Sequence, residues 1–289
     1  MIQKPMLAVT MKDMEDIVFP VYATPKLDGI RCLIVKGQAV TRNFKPFPNN
    51  HIRERANELP SGLDGEMMVK GKKFNELSSL LMSGDGEPKA TYVVFDYLVD
   101  TSETYLDRIK RLKALNLPKW VKVLKPKKIS NKAKLEAYEK KCLSKGYEGV
   151  IFRSADSPYK FGRSTMREGY LVKLKQFSDS EAEVIELVEQ VSNTNKKTTN
   201  VFGRTERSGE KAGMIPKGTL GAIKVKDLKT GIEFNVGSGF DDAIRREIWD
   251  NKHKYIGKIV KYKHQKSGAK DAPRFPTFIG FRDMRDMGE

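Results

Sequence analysis

Cysteine and histidine are scarce in this chain of 289 residues, which contains two cysteines and three histidines. Cys32 and Cys142 cannot form a disulfide framework, so we expect the protein to work in a reducing compartment. The histidines His51, His253 and His264 are scattered without metal-ligand spacing. This pattern argues against a zinc site.

Long hydrophobic runs are missing as well. No run of about 18 apolar residues occurs, which excludes a membrane-spanning helix. The N-terminal stretch MIQKPMLAVTMKDMEDIVF includes acidic residues where a signal peptide needs a long apolar segment. We therefore expect a protein that is not secreted, has no membrane partner, and is cytoplasmic or nuclear in its host cell.

Acidic residues are fewer than basic ones, with 37 Asp and Glu against 54 Lys and Arg, for a formal net charge of +17. Such an excess of positive charge favours a polyanionic partner, because each neutralised phosphate releases counterions. Charge alone does not separate a nucleic-acid-binding protein from a basic protein that is merely soluble.

The length predicts two domains, at roughly 100–200 residues per domain. In the first two-thirds of the chain, strand-like runs such as TYVVFDYLV (91–99) and EGVIFR (148–153) alternate with helical patterns. The remainder has five short β-rich runs and one short helix, which Asp241 can cap. We expect a mixed α/β domain over 1–176 and a small β-barrel over 177–289, with the OB fold as the natural candidate.

A polar stretch at about 192–217 separates two of the expected barrel strands. It is rich in Gly, Ser, Thr and Asn, and a connection this long is either functional or disordered. Its positive charges can follow a phosphate backbone, so we favour a functional loop over a solvated, mobile one. Its basic residues are Lys196, Lys197, Arg204, Arg207, Lys211 and Lys217.

The segment ATPKLDGIRC (23–32) is the most informative for chemistry. Lys26 is followed by Asp28, Gly29 and Arg31 between strand-like flanks. A lysine can act as a nucleophile when burial or nearby positive charge lowers its pKa. Taken alone, these four residues are more simply explained as a turn with a surface lysine.

Further motifs change that interpretation. They are TRN (41–43), LDGE (63–66), FDY (95–97), EGVIFR (148–153), FGRSTMREG (161–169), LVKLK (171–175), VGSGFD (236–241) and PRFPTFIGFRD (273–283). In order and spacing these motifs resemble those of the covalent nucleotidyltransferase superfamily of ATP-dependent DNA ligases and mRNA capping enzymes, and within it the minimal viral DNA ligases of the chlorella-virus type. The resemblance implies an α+β nucleotidyltransferase domain, ATP-grasp-like in fold, followed by an all-β OB-fold domain.

The resemblance implies sealing of 5′-phosphate/3′-hydroxyl nicks in duplex DNA. Lys26 attacks the α-phosphate of ATP and forms lysyl-AMP, the AMP moves to the 5′-phosphate at the nick, and the 3′-hydroxyl then displaces AMP. The implied cofactors are ATP and Mg²⁺, with Mn²⁺ as an alternative. The implied partner is nicked duplex DNA, bound by a monomer. The 192–217 insert matches the hairpin or latch that closes around the duplex in this family.

The resemblance also assigns catalytic residues. Lys173 and Lys175 are two apart on a strand and can share a face, where they contact the α-phosphate and favour a neutral Lys26. Glu148 and Asp28 are implied as metal ligands, since Mg²⁺ prefers one or two carboxylates. The implied catalytic set is Lys26, Asp28, Lys173 and Lys175.

Phe95 is implied to stack on adenine, although a phenylalanine in such an apolar run would ordinarily belong to the core. Thr24 matches the position that contacts the adenine amino group, and Glu66 the position near the ribose. Asp64 lies in the same motif as Glu66 without an assigned role. The implied nucleotide-binding residues are Thr24, Lys26, Arg31, Glu66, Phe95, Glu148, Lys173, Lys175, Arg282 and Asp286.

The nick is implied to be held by guanidinium groups, which suit phosphate through bidentate hydrogen bonds. At the C-terminus, Arg282 and Asp286 match the family pattern, but Met287 stands where a basic residue is expected, and Arg285 is near enough to substitute. The implied nick-binding residues are Arg31, Arg42, Arg163, Lys196, Lys197, Arg204 and Arg207.

Other functions remain open from the sequence. An mRNA guanylyltransferase or an RNA ligase of the same superfamily shares the lysine chemistry, but Thr24, the basic insert and the FGRST segment favour the DNA ligase. A non-catalytic alternative is a nucleic-acid-binding OB protein with a decayed enzyme domain. The presence of Lys26, Glu148, Lys173 and Lys175 argues against it.

Overall fold

The structure is a computed structural model that describes residues 3–11, 14–175, 177–199, 205–265 and 272–282. The chain forms two compact units, and the main break between them falls between residues 175 and 176. In the described ranges, no helix has the length and apolar character needed to cross a membrane.

In its described residues, the first unit is built from short strands and four α-helices. Its strands are β1 (Met6–Leu7), β2 (Val9–Thr10), β3 (Val21–Lys26), β4 (Ile30–Val35), β5 (Gln38–Thr41), β6 (Leu63–Val69), β7 (Ala90–Tyr97), β8 (Val121–Val123), β9 (Lys127–Ile129), β10 (Gly149–Ser154), β11 (Gly162–Arg163) and β12 (Val172–Leu174). Its helices are α1 (Asn50–Ala56), α2 (Phe74–Met82), α3 (Tyr105–Lys113) and α4 (Lys132–Ser144).

The strands make two five-stranded sheets. Sheet A has the order β2-β12-β10-β3-β9 and sheet B the order β5-β4-β6-β7-β8, while β1 pairs with β11. Helices α1, α2 and α3 pack on sheet B, and α4 packs on sheet A. Each sheet thus has one face that helices cover and one face that is available for other contacts.

Strand alternation decides which side chains reach each face. On β10, Val150 and Phe152 lie in the core with α4, whereas Ile151 does not. On β6, Met67 lies in the core with the sheet B helices, and Glu66 points the other way. A smaller apolar cluster with residues from both sheets holds them together, and its buried members are Met6, Leu33, Val40, Leu98, Tyr159 and Leu171.

The second unit is mostly antiparallel sheet, as predicted. Its five-stranded sheet has its own core and the order β17-β16-β13-β18-β19, and the predicted helix begins after Asp241, whose side chain accepts from the Ile244 N–H at 2.8 Å. Its elements are β13 (Ser178–Asn193), β14 (Lys197–Thr199), β15 (Thr205–Arg207), β16 (Met214–Asp227), β17 (Glu233–Val236), α5 (Asp242–Asp250), β18 (Ile259–Gln265) and β19 (Arg274–Phe281).

The insert differs from the prediction in extent and form. Strands β13 and β16 stay paired as far as Asn193 opposite Met214, so the excursion spans 194–213 rather than 192–217. Within it β14 and β15 pair as a hairpin, and the Asn193 side chain donates to the Ser208 carbonyl at 2.8 Å. The residues themselves do not predict these two strands, because they are mostly exposed and show no hydrophobic alternation, so a hairpin was implied only by the resemblance.

A buried ion cluster joins β7, α3 and β10. The Asp96 carboxylate is fully buried and accepts from Arg108 at 2.7 Å and 3.2 Å and from Arg153 at 2.5 Å. Burial alone raises the pKa of Asp96, but the two guanidinium groups more than offset it and hold that pKa below its usual value. The carboxylate therefore stays charged and ties three elements together.

We expect Asp96→Asn to lower the free energy of unfolding of the first unit by about 3–5 kcal/mol, because two buried guanidinium groups lose their counter-charge. The chain has two tryptophans, so Trp249→Phe leaves Trp120 to report urea unfolding of the first unit. Glu76→Gln, which breaks the exposed ion pair with Lys72, is the control and should change stability by about 0.5 kcal/mol or less. If Asp96→Asn lowered the free energy of unfolding no more than Glu76→Gln does, this expectation would be contradicted.

Candidate active site

A cavity of about 550 Å³ lies between the two sheets of the first unit, a size typical of small-molecule sites. The strand register explains its lining. Ile151 of β10 lies opposite both Thr24 of β3 and Lys173 of β12, so these three share the inner face of sheet A. Predicted site residues that line the cavity are Thr24, Lys26, Arg31, Arg42, Glu66, Phe95, Arg163 and Lys173.

The Glu148 carboxylate bridges two of the predicted catalytic lysines. One of its oxygens contacts Lys26 Nζ and the other contacts Lys175 Nζ. Gly149 is needed beside it, since it has φ of 150° and a Cβ there would lie 2.3 Å from the Leu174 carbonyl oxygen. This close approach of β10 and β12 brings Glu148 and Lys175 together.

Four cationic side chains surround one part of the cavity. The pKa of Lys173 is lowered by partial burial and then by the positive charges of Arg163, Lys26 and Arg42. The Arg163 guanidinium is held by the Ala8 carbonyl at 2.9 Å. An anionic ligand placed here would relieve this repulsion, and phosphate groups have the matching charge.

Arg31 is fixed more firmly than the sequence indicates. It makes a bidentate pair with buried Asp64, with Nε–Oδ1 at 2.9 Å and Nη2–Oδ2 at 2.6 Å, and its Nη1 donates to the Met6 carbonyl at 2.8 Å. Burial opposes its charge, but Asp64 more than compensates, so the pKa of Arg31 is raised. Bonds to described residues use three of the five guanidinium N–H groups, which leaves two of them for a ligand within this part of the chain.

Phe95 and Thr24 define the apolar part of the cavity. Phe95 lies outside the apolar clusters found among the described residues, whereas its neighbour Val94 is buried against the helices. The Arg31 guanidinium carbon is 5.4 Å from the centre of the Phe95 ring. Thr24 is buried, and its hydroxyl donates to the Ile151 carbonyl at 3.5 Å. A flat aromatic ligand fits beside such a ring.

Glu66 lies on the inner face of sheet B, opposite Arg31. Burial raises the pKa of Glu66 to about 7, although Lys26, Arg31 and the Gly29 N–H act against this rise. Its charge therefore changes near neutral pH. A hydroxyl donor binds a carboxylate more strongly than a neutral carboxyl group.

Some predicted residues lie elsewhere. Asp28 is half-buried in the turn after β3 and is not in the cavity lining. Arg282 belongs to the second unit, where its Nε donates to Glu181 at 2.5 Å. Lys196 and Lys197 are exposed on the insert, and Arg207 donates to the Asn195 carbonyl. Outside the described residues lie Arg204, Arg285, Asp286 and Met287.

The carboxylates suit a metal ion only in combination with a ligand. Within the described ranges, no group of three His, Cys, Asp or Glu side chains could hold a metal ion. Glu148, one of the two predicted metal carboxylates, lies at the site in contact with Lys26. Mg²⁺ commonly takes one or two carboxylates and completes its shell with water and phosphates, so this donor set fits Mg²⁺ arriving with a nucleotide.

Family comparison agrees with this geometry. The model named ATP dependent DNA ligase domain matches residues 5–175, and the model named DNA ligase OB-like domain matches residues 214–282. The chain belongs to the ATP-dependent DNA ligase family. The predicted family and fold class, a nucleotidyltransferase domain followed by an OB-fold domain, are confirmed.

Individual relatives of this chain are DNA ligases. A DNA ligase of Haemophilus influenzae is 26% identical over 260 residues, covering 88% of this chain and 83% of its own. The crystal structure of Chlorella virus DNA ligase-adenylate is 38% identical, with a TM-score of 0.57, and the match covers 98% of this chain and 100% of that one. These matches support the DNA ligase and not the guanylyltransferase or RNA ligase alternatives.

A structure from a structure-function study of Lig E DNA ligases, which concerns DNA binding with a minimal scaffold, has a TM-score of 0.77 at 23% identity. The match covers 98% of this chain and 100% of that chain. At this identity the likeness shows a shared fold.

The sequence missed the contribution of the N-terminal strands to the ligase site. Leu7 and Ala8 line the cavity, and the Met6 and Ala8 carbonyls hold Arg31 and Arg163. Strands of two residues are too short to show periodicity, and carbonyl contacts leave no side-chain signature. No signal in the sequence could have identified this role.

The pKa of Glu66 predicts a pH-dependent affinity for adenosine, a probe without an ionisable phosphate. Glu66 is a carboxylate above about pH 7 and a neutral carboxyl group below it. If it accepts from a ribose hydroxyl, adenosine should bind several-fold more weakly at pH 6 than at pH 8 by titration calorimetry. Glu66→Gln should remove this difference in affinity, and the exposed control Glu76→Gln should keep it. If adenosine binding by Glu66→Gln depended on pH as it does in the wild type, Glu66 would not be the group that accepts from the ribose.

Proposed function

We propose that this ligase seals nicks with 5′-phosphate and 3′-hydroxyl ends in duplex DNA through lysyl-AMP and DNA-adenylate intermediates. One observation carries the proposal: Lys26 shares a cavity with the cations Lys173, Arg42 and Arg163 and with the aromatic ring of Phe95. A nucleotide combines an anionic phosphate chain with a flat base, and this cavity offers a partner for each.

In the first step, Lys26 Nζ forms a bond to the α-phosphorus of ATP, and the bond to the pyrophosphate oxygen breaks. Only the neutral amine is a nucleophile, so Lys26 must give a proton to water and lose its contact with Glu148 before it attacks. Lys173 and Lys175 neutralise the α-phosphate oxygens as charge develops on them. Phe95 and Thr24 would hold the adenine, and Glu66 the ribose.

Glu148 would hold Mg²⁺, and the resemblance implies Asp28 as the second carboxylate. When bound, Mg²⁺ supplies positive charge that polarises the phosphate and stabilises the departing pyrophosphate. Glu148 already bridges two ammonium groups, so the metal would have to compete for its oxygens. The resemblance implies that Arg282 and Asp286 would orient the leaving pyrophosphate, and Asp286 lies outside the described residues.

In the later steps, an oxygen of the 5′-phosphate attacks the lysyl-AMP phosphorus and breaks the P–N bond, which frees Lys26. The 3′-hydroxyl then attacks the 5′-phosphorus, AMP leaves, and the strand is continuous. Arg42 and Arg163 would hold the nick phosphate, since both line the cavity beside Lys173. Arg31, with two N–H groups left, can contact the ribose or the nick.

The remaining positive charge would hold the duplex without reading its sequence. The insert hairpin presents Lys196, Lys197 and Arg207, and Arg204 lies beside them in the chain. We further propose a monomer that acts in the cytoplasm or nucleus. The two cysteines are free and buried, which suits a reducing compartment.

Lys26→Ala should abolish transfer of label from α-labelled ATP to the protein, because no amine remains to attack. Glu148 would keep Lys175 as a partner, so the variant should fold and bind nicked duplex within about twofold of the wild type. Lys110→Ala, at an exposed position on α3, is the control and should label normally. Labelling that persists in Lys26→Ala would place the nucleophile elsewhere.

Removal of 194–213 should weaken binding of nicked duplex at least tenfold while lysyl-AMP formation stays unchanged. Asn193 and Met214 are paired, so an Asn-Gly turn can join them and leave the β13–β16 ladder intact. Gel-shift titration and adenylation assays measure the two effects. A control variant that keeps the hairpin but replaces Lys196, Lys197, Arg204 and Arg207 with Ser separates charge from shape, and undiminished binding in both variants would exclude a latch.

A further inference from the structure

Tyr159 lies between the sheets of the first unit, just before the FGRST segment. It is buried, with 2% of its surface exposed, and it packs in the apolar cluster that joins sheets A and B. Its hydroxyl donates to Asp64 Oδ2 at 2.6 Å and accepts from the Met6 N–H at 3.3 Å. It is not among the residues that line the cavity.

These bonds complete a closed ring of four residues. Asp64 pairs with Arg31, Arg31 donates to the Met6 carbonyl, the Met6 N–H donates to Tyr159, and Tyr159 donates back to Asp64. Both of the groups that fix Arg31 are therefore anchored by the same hydroxyl. Burial, followed by the charge of Asp64, raises the pKa of Tyr159 well above its usual value, so the hydroxyl keeps its proton.

The ring has a direct consequence for the Arg31 side chain. A long, flexible side chain occupies one geometry only when its partners are themselves fixed, and misplacement by about 1 Å can cost 10²-fold in rate. The Arg31 guanidinium lies 5.4 Å from the Phe95 ring centre, so a shift in Arg31 would also alter the surroundings of that ring.

We propose that Tyr159 is a positioning residue, which orients Arg31 in the nucleotide site through Asp64 and the Met6 backbone. The inference rests on the proposed function, in which Arg31 contacts the bound nucleotide or nick. It predicts that the hydroxyl matters for adenylation only as long as Arg31 is present.

The test is a double-mutant cycle of Tyr159→Phe and Arg31→Lys, read as kcat and KM for lysyl-AMP formation. Tyr159→Phe keeps the aromatic side chain and removes one hydroxyl, which opens the ring of hydrogen bonds. We expect kcat/KM to fall roughly 10- to 100-fold. In the Arg31→Lys background the same change should have little further effect. Tyr92→Phe is the matched control, since it removes a buried hydroxyl that donates to the Cys32 carbonyl at 2.9 Å on the helix-covered face.

Two results would overturn the proposal: additive losses in the cycle, which indicate a general effect on the fold, or a Tyr159→Phe enzyme as active as Tyr92→Phe. Failure of the wild type to form lysyl-AMP would instead reject the proposed function, so the two failures are distinguishable.

Should Tyr159→Phe melt near the assay temperature, the four proteins of the cycle are compared at a lower temperature, at which circular dichroism shows each of them to be folded. Additive losses under those conditions would still reject the positioning role.

Discussion

The site depends on how positive charge is balanced between two facing sheets. Lysine and arginine side chains can lie in a partly buried cavity only where carboxylates or a ligand offset their charge. Asp64 offsets Arg31, and Glu148 offsets Lys26 and Lys175, while Lys173 lies among further cations that lower its pKa. The protein's own carboxylates therefore shape the cavity, and the excess of positive charge beyond them leaves a site suited to phosphate.

Strand periodicity and motif order predicted much of this arrangement. Alternation along β7 places Val94 in the core and Phe95 in the cavity, although the apolar run alone favours a core position for both. The pairing of Arg31 with Asp64 could not be predicted from the sequence, because it depends on the register of β4 against β6. Each of these strands is short and mostly buried, so their spacing along the chain carries no record of which residues lie opposite one another.

The two units raise different difficulties for prediction. In the second unit, β-rich runs marked the five sheet strands, and a capping aspartate marked the helix. The insert hairpin was implied only by the resemblance, because polar, exposed strands lack the hydrophobic face that would mark them in the sequence. In the first unit, the residues that the sequence analysis missed contribute through the backbone carbonyls of Met6 and Ala8. Any residue type could supply these carbonyls. They reach the site because β1 pairs with β11 and β2 pairs with β12.

Gly149 has a consequence for how this active site would respond to random substitution. A side chain at this position would collide with the Leu174 carbonyl and force β10 away from β12. Glu148 and Lys175 lie beside that contact, so the expected defect would be chemical, with a protein that stays folded yet transfers AMP poorly. A mutational screen scored only by activity would count Gly149 among the catalytic positions, although it has no functional group with which to act.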